Sequence, residues 1–147
     1  LSTGPEILDF ESLIIPEHQD KVGFSQVQGR LRIILDKDIP ELAGPAAVEV
    51  VQKLLERNGL AKTQVKHWIL HSGGRKVIDR LQEDLGLQPE QVKHTKSILK
   101  NFGNMSSPTV LFVLNEIMQK EDLRLGDYGI MLALGPGLSV ETALLRW

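Results

Sequence analysis

One stretch of the chain decides its fold, Trp68-Ile69-Leu70-His71-Ser72-Gly73-Gly74. The apolar run that ends at Leu70 is typical of a buried strand, and apolar residues recur at helical spacing from residue 75 to residue 85. A strand joined to a helix by a glycine turn is typical of α/β domains, in which ligands bind beyond the carboxyl ends of the strands. His71 therefore lies where we expect a ligand site.

The segments on either side complete the domain. Apolar patterns predict strands at 7–15, 22–35, 65–70, 128–134 and 140–145, and helices at 39–57, 75–85, 94–102 and from 108 to about 120. Residues 16–20 suit a hairpin connection between the first two strands. We predict an α/β domain with a mixed five-stranded sheet packed by helices.

The composition argues against several classes of protein. With 17 Lys and Arg against 19 Asp and Glu, the net charge is −2, which disfavours nucleic-acid binding driven by bulk charge. The absence of cysteine excludes disulfides and thiolate metal sites. The longest apolar runs, near 110–114 and 130–134, fall far short of the roughly 20 residues that span a bilayer.

These properties favour a cytoplasmic protein without membrane contact, and no signal-peptide pattern opens the sequence. The 147 residues fit one domain or half of a larger enzyme. Because the first residue is Leu1 rather than Met, we expect the chain to be part of a longer protein.

The turn after His71 has the character of an anion site. Gly73 and Gly74 allow close approach of a ligand and leave free N–H groups at the start of the next helix. Arg75 and Lys76 place two cations in the first helical turn, where the helix dipole disfavours them unless a phosphorylated ligand lies nearby. The alternative is a buried structural histidine, a glycine turn and two solvated bases, and the local pattern leaves both possibilities open.

A second turn has the same character. Asn104 lies between Gly103 and a helix that Ser106 or Ser107 can cap, with Pro108 in the first turn. An amide is no general base but donates hydrogen bonds, so a histidine and an asparagine together can polarise a carbonyl and stabilise an oxyanion. Alternatively, Asn104 is only a turn residue.

The loop Gly135-Pro136-Gly137 is either a rigid hairpin turn or a backbone wall against a substrate cavity. The other histidines, His18, His67 and His94, have no spacing that suggests a metal site, so we predict none.

In order and spacing, these segments resemble the C-terminal half of type III polyketide synthases, the chalcone and stilbene synthase family. The resemblance spans essentially the whole chain and rests on Leu70-His71-Ser72-Gly73-Gly74, Phe102-Gly103-Asn104-Met105-Ser106-Ser107, and Gly135-Pro136-Gly137-Leu138 followed by Val140-Glu141-Thr142. Ser72 replaces the proline usual in the plant enzymes. With Gly126-Asp127-Tyr128-Gly129 and Trp147, that serine is similar to the bacterial 3,5-dihydroxyphenylacetyl-CoA synthase branch.

The resemblance implies a thiolase-like fold, with residues 1–147 as its C-terminal domain and the catalytic cysteine in an N-terminal half outside this chain. His71 and Asn104 match the family's catalytic pair, which activates the cysteine, promotes decarboxylation of malonyl-CoA and stabilises the enolate. Gly73, Gly74, Arg75 and Lys76 match its coenzyme A contacts. The residues that match the lining of the family's elongation cavity are Ile33, Ser106, Gly135, Pro136 and Gly137. Ile33 falls where the plant enzymes have a gating phenylalanine.

The implied activity is an acyltransferase reaction, the decarboxylative Claisen condensation of malonyl-CoA onto an acyl starter. The starter comes from an acyl-CoA and is held on a cysteine of the missing N-terminal half. The substrates are CoA thioesters, no further cofactor is expected, and the intact enzyme is expected to be a homodimer. Two alternatives stay open, a ketoacyl-carrier-protein synthase III-like enzyme and a non-catalytic domain for CoA binding or dimerisation. The ketoacyl-carrier-protein synthase III enzymes differ from this sequence because they lack the Gly-Gly after the histidine and the Gly-Pro-Gly-Leu loop.

Overall fold

The computed structural model describes residues 4–147, so Leu1, on which the expectation of a longer protein depends, lies outside the described residues. The strands are β1 (Glu6–Ile14), β2 (Val22–Val27), β3 (Arg30–Leu35), β4 (Val65–Leu70), β5 (Tyr128–Gly135) and β6 (Ser139–Arg146). The α-helices are α1 (Ile39–Arg57), α2 (Arg75–Asp84), α3 (Lys93–Phe102) and α4 (Pro108–Lys120). The four predicted helices are confirmed, with ends within about one residue of those expected from their apolar stripes and stop signals.

A mixed sheet forms the centre of the fold, as predicted. Its strand order is β1-β6-β5-β4, with β4 and β5 parallel and the other pairs antiparallel. The predicted number of five strands is wrong, because the sheet has four strands within residues 4–147. Residues 22–35 do not form one strand of it but fold back on themselves as the separate hairpin β2–β3. The hairpin turns at Gln28 and Gly29, whose φ angles of 51° and 74° suit a two-residue turn between antiparallel strands.

The predicted hairpin connection at residues 16–20 is also wrong. These residues contain a short 3₁₀ turn, Pro16–His18, and β1 pairs with β6 at the other end of the chain instead of with β2. The physical reason is the burial of apolar side chains, since Leu8 and Leu13 of β1 pack against the larger hydrophobic core of the domain. Pairing with β6 keeps these side chains over that core.

Helices cover both faces of the sheet. Successive strand residues point to opposite faces of the sheet, so the sheet separates two hydrophobic cores. Leu70 and Leu132 belong to the larger core, between the sheet and the helices α1 and α2. Ile69 and Leu145 belong to the smaller core, between the sheet and the helices α3 and α4. The predicted apolar stripe of α1 is buried: Ala43, Ala47, Val50, Val51, Leu54 and Leu55. Within residues 4–147, no helix is long and apolar enough to cross a bilayer.

Candidate active site

His71 is held at the carboxyl end of β4, as its position after the apolar run predicted. Its backbone N–H donates to the Leu132 carbonyl oxygen of β5 at 2.8 Å, which extends the parallel pairing by one residue. The residue is only 8% exposed, and this burial lowers the pKa of the imidazole from its usual value. At neutral pH the ring is therefore uncharged, with one nitrogen that donates and one that accepts.

Gly73 connects His71 with Asn104. A Cβ placed on Gly73 would lie 3.1 Å from His71 Cδ2 and 3.2 Å from Nε2, so the imidazole rests against this glycine. On its other side, the Gly73 carbonyl oxygen accepts a hydrogen bond from Asn104 Nδ2 at 3.1 Å. The two turns that sequence analysis singled out separately thus meet at one residue.

The turn that carries Asn104 differs in one respect from expectation. Ser107 occupies the N-cap position of α4 and Pro108 begins the helix, but no cap hydrogen bond comes from the serine side chain. Instead, the hydroxyl of Thr109 accepts the Met105 N–H at 3.1 Å. Thr109 therefore ties the loop before α4 to the first turn of the helix, and this contact was not predicted from the sequence.

A cavity of about 170 Å³ lies between these turns and the β2–β3 hairpin. Seven residues that sequence analysis selected line it, namely Ile33, His71, Gly73, Asn104, Ser106, Gly135 and Pro136. The remaining lining is almost entirely apolar, with Val22, Gly23, Phe24, Leu35, Ile39, Val77, Leu134 and Leu138. An apolar pocket with a few convergent polar groups is the usual form of a small-molecule site.

Four selected residues are not part of that lining. Gly74 lies just beyond Gly73, and Arg75 and Lys76 are exposed in the first turn of α2, outside the cavity lining. Gly137 contacts the wall through a hydrogen bond, because its N–H donates at 2.8 Å to the carbonyl oxygen of Val22, which lines the cavity. The charged groups of Arg75 and Lys76 therefore do not form part of the cavity.

The apolar lining from the hairpin was largely missed from the sequence. Phe24 is the direct cross-strand partner of Ile33, and both line the cavity while remaining more than half exposed. The pairing of an exposed phenylalanine with an exposed isoleucine could have indicated this part of the lining. That pairing can be recognised only when the register of the β2–β3 hairpin is known. Across residues 4–147, no group of three or more His, Cys, Asp or Glu side chains is arranged to hold a metal ion.

Comparison with known families identifies one that covers nearly the whole chain. The family described as "Chalcone and stilbene synthases, C-terminal domain" matches residues 7–147.

The chain belongs to the chalcone and stilbene synthase family.

Two relatives in this family carry the same name. The 3,5-dihydroxyphenylacetyl-CoA synthase of Streptomyces toyocaensis is 41% identical over 148 residues, covering 99% of this chain and 38% of the relative. That of Amycolatopsis orientalis is 38% identical over 146 residues, covering 98% of this chain and 40% of the relative. The chain thus spans about two fifths of the length of these relatives.

Solved structures share the fold. The chain is similar, with a TM-score of 0.91 and 25% identity, to 1,3,6,8-tetrahydroxynaphthalene synthase of Streptomyces coelicolor A3(2), a bacterial type III polyketide synthase; the match covers 98% of this chain and 41% of that one. The C-terminal type III polyketide synthase domain of Steely1 from Dictyostelium gives 0.87 and 26%, covering 97% and 40%. The thiolase-like α/β fold expected from the family resemblance is confirmed.

Proposed function

We propose that the protein to which this chain belongs is an acyltransferase of the type III polyketide synthase kind. It condenses malonyl-CoA units onto an acyl starter by decarboxylative Claisen condensation. The observation that carries the proposal is the convergence of His71 and Asn104, through Gly73, on one largely apolar cavity. A scaffold for dimerisation or CoA binding needs neither donor, and the Gly-Gly after the histidine argues against the ketoacyl-carrier-protein synthase III-like alternative.

The first step loads the starter. The starter acyl group moves from coenzyme A to a cysteine thiol of the N-terminal half, which this cysteine-free chain does not contain. The thiol proton goes to the neutral imidazole of His71, and the cysteine sulfur bonds to the acyl carbon. The bond from that carbon to the CoA sulfur breaks, and the imidazolium returns the proton to that sulfur, so coenzyme A leaves as its thiol. Burial supports this role because it keeps the imidazole in the unprotonated form that accepts a proton.

Condensation then requires stabilisation of negative charge. The bond between the malonyl carboxylate and its α-carbon breaks, CO2 leaves, and the electron pair moves onto the thioester oxygen as an enolate. The N–H groups of His71 and Asn104 donate to that oxygen, the kind of preorganised donation that contributes most in such reactions. The enolate carbon attacks the starter thioester, a carbon–carbon bond forms, and the cysteine thiolate leaves.

The remaining site residues suit the coenzyme A part of the substrate and the growing acyl chain. We propose that the N–H groups at Gly73 and Gly74 and the cations of Arg75 and Lys76 hold the coenzyme A phosphates, since these residues lie in or before the first turn of α2. The growing chain occupies the cavity beside Ile33. No cofactor beyond the CoA thioester substrates is required.

The N-terminal half is the proposed partner of two groups of exposed apolar residues. Along β1, Ile7, Phe10 and Ile14 are 54–65% exposed. On the helices α3 and α4, the exposed apolar residues are Phe102, Leu111 and Phe112. Patches of this kind mark interaction sites. We further propose that the intact enzyme is a cytoplasmic homodimer, as in the family it resembles.

The similarity to the relatives from Streptomyces toyocaensis and Amycolatopsis orientalis supports a finer proposal, that the product is 3,5-dihydroxyphenylacetyl-CoA. Incubation of the intact enzyme with malonyl-CoA, followed by mass spectrometry, tests this. A different condensation product would contradict the branch and leave the reaction class intact.

Release of CO2 and free coenzyme A from malonyl-CoA by the intact protein tests the proposal itself. We expect His71→Ala and Asn104→Ala to reduce both rates by orders of magnitude, because a removed oxyanion donor alone costs about 10²–10³-fold. His18→Ala and Asn101→Ala, which change the same residue types outside the cavity, serve as matched controls. Unchanged rates in both site variants would exclude the mechanism, and condensation by the isolated 147-residue chain would contradict the need for a second half.

A further inference from the structure

The amide of Asn104 is fixed in one orientation by two backbone groups. Its Nδ2 donates to the Gly73 carbonyl oxygen at 3.1 Å, and its Oδ1 accepts the Ser106 N–H at 2.9 Å. A carbonyl oxygen only accepts and an N–H only donates, so a flipped amide would lose both bonds. Since the NH2 group has two hydrogens, one N–H of Asn104 remains free to donate to a ligand.

The Ser106 N–H that selects this orientation depends on an unusual backbone conformation. Ser106 has φ +62°, in the left-handed region that residues with a side chain rarely adopt. Such conformations persist where the surroundings enforce them, and they concentrate at functional sites.

Thr109 supplies the enforcing contacts. Its side-chain oxygen Oγ1 accepts the Met105 N–H at 3.1 Å, and its own N–H donates to the Ser106 carbonyl oxygen at 3.1 Å. The residue is fully buried in the first turn of α4 and is not part of the cavity lining. It therefore clamps the turn from the helix side, out of reach of any substrate.

We propose that Thr109 is a positioning residue for Asn104. Its hydroxyl holds the turn in the conformation that aims the free Asn104 N–H into the cavity beside His71. This role rests on the proposed function, because it acts only through the Asn104 amide.

Thr109→Val tests the proposal, since valine keeps the shape of threonine and loses the hydroxyl that accepts from Met105. In the intact enzyme we expect kcat for malonyl-CoA decarboxylation to fall about tenfold or more, because displacements of about 1 Å cost about 100-fold. KM should stay within about twofold, since Thr109 touches no substrate. Thr109→Ser keeps the oxygen and should restore most of kcat. If the valine variant does not fold, Thr109→Ala replaces it under the same criteria.

The double variant separates positioning from general stability. In an Asn104→Ala background, Thr109→Val should cause no further loss of kcat, because the group it positions is gone. An equal loss in both backgrounds, a wild-type rate in Thr109→Val, or failure of Thr109→Ser to rescue would each overturn the proposal. A wild-type rate in Asn104→Ala alone would overturn the proposed function together with it, so the two failures are distinguishable.

Discussion

Substitution of Gly73 by alanine should slow catalysis by a predictable amount. The added methyl group would lie 3.1 Å from His71 Cδ2 and 3.2 Å from Nε2. The φ angle of Gly73 lies outside the left-handed region, so alanine introduces no backbone strain there. The perturbation therefore acts on the His71 ring and leaves the chain conformation in place.

The expected magnitude follows from these contacts. Favourable carbon–carbon contacts lie at about 3.5–4.0 Å, so the imidazole must retreat by roughly 0.5 Å. Because misplacement of a reacting group by about 1 Å costs about 100-fold, this shift should lower kcat about tenfold. That loss corresponds to about 1.4 kcal/mol in the activation barrier.

The assay is CO2 release from carboxyl-labelled malonyl-CoA by the intact enzyme, with kcat and KM determined for Gly73→Ala and Gly74→Ala. A Cβ on Gly74 meets nothing within 4 Å, and its φ of 166° is ordinary extended backbone. Because we place Gly74 among the coenzyme A contacts, any effect of its substitution should fall on KM. A kcat for Gly73→Ala within twofold of wild type, or equal kcat losses in both variants, would refute the reasoning.

Two further predictions concern pH and stability. The acid limb of kcat/KM should lie below pH 6.5, the ordinary imidazole value, because burial lowers the pKa of His71 and the neutral form acts; a limb at or above 6.5 would contradict this. Gly129→Ala should lower the free energy of unfolding by about 1–3 kcal/mol, since its Cβ would lie 2.7 Å from Trp147 Cζ3. Denaturant unfolding checks this, and Gly23→Ala, whose Cβ would have no neighbour within 4 Å, should not be destabilised.

The helices were predictable because their signals are local. The spacing of Ala43, Ala47 and Val51 along α1 and the stop at Asn58-Gly59 are contained within a few turns of sequence. The same holds for His71, because the end of an apolar run and the glycines after it mark the carboxyl end of a strand without knowledge of its neighbours.

The sheet was predicted less well because strand pairing is not local. A single strand over residues 22–35 would have been unusually long, and Gly29 within it was the available sign of a turn. Nothing near Leu8 or Leu13 indicates that β1 pairs with β6. For the same reason, Phe24 was missed as a lining residue, and the separation of Arg75 from the cavity required the three-dimensional structure.

The position of β6 between β1 and β5 has a consequence for biosynthesis. β6 joins β1 to β5, so β1 lacks its partner in this sheet until residues 139–146 have been synthesised. Long-range pairings of this kind slow folding, because the entropic cost of closing the loop precedes the gain from contacts. Until then, the unpaired backbone N–H and C=O groups of β1 favour aggregation of the unfinished chain.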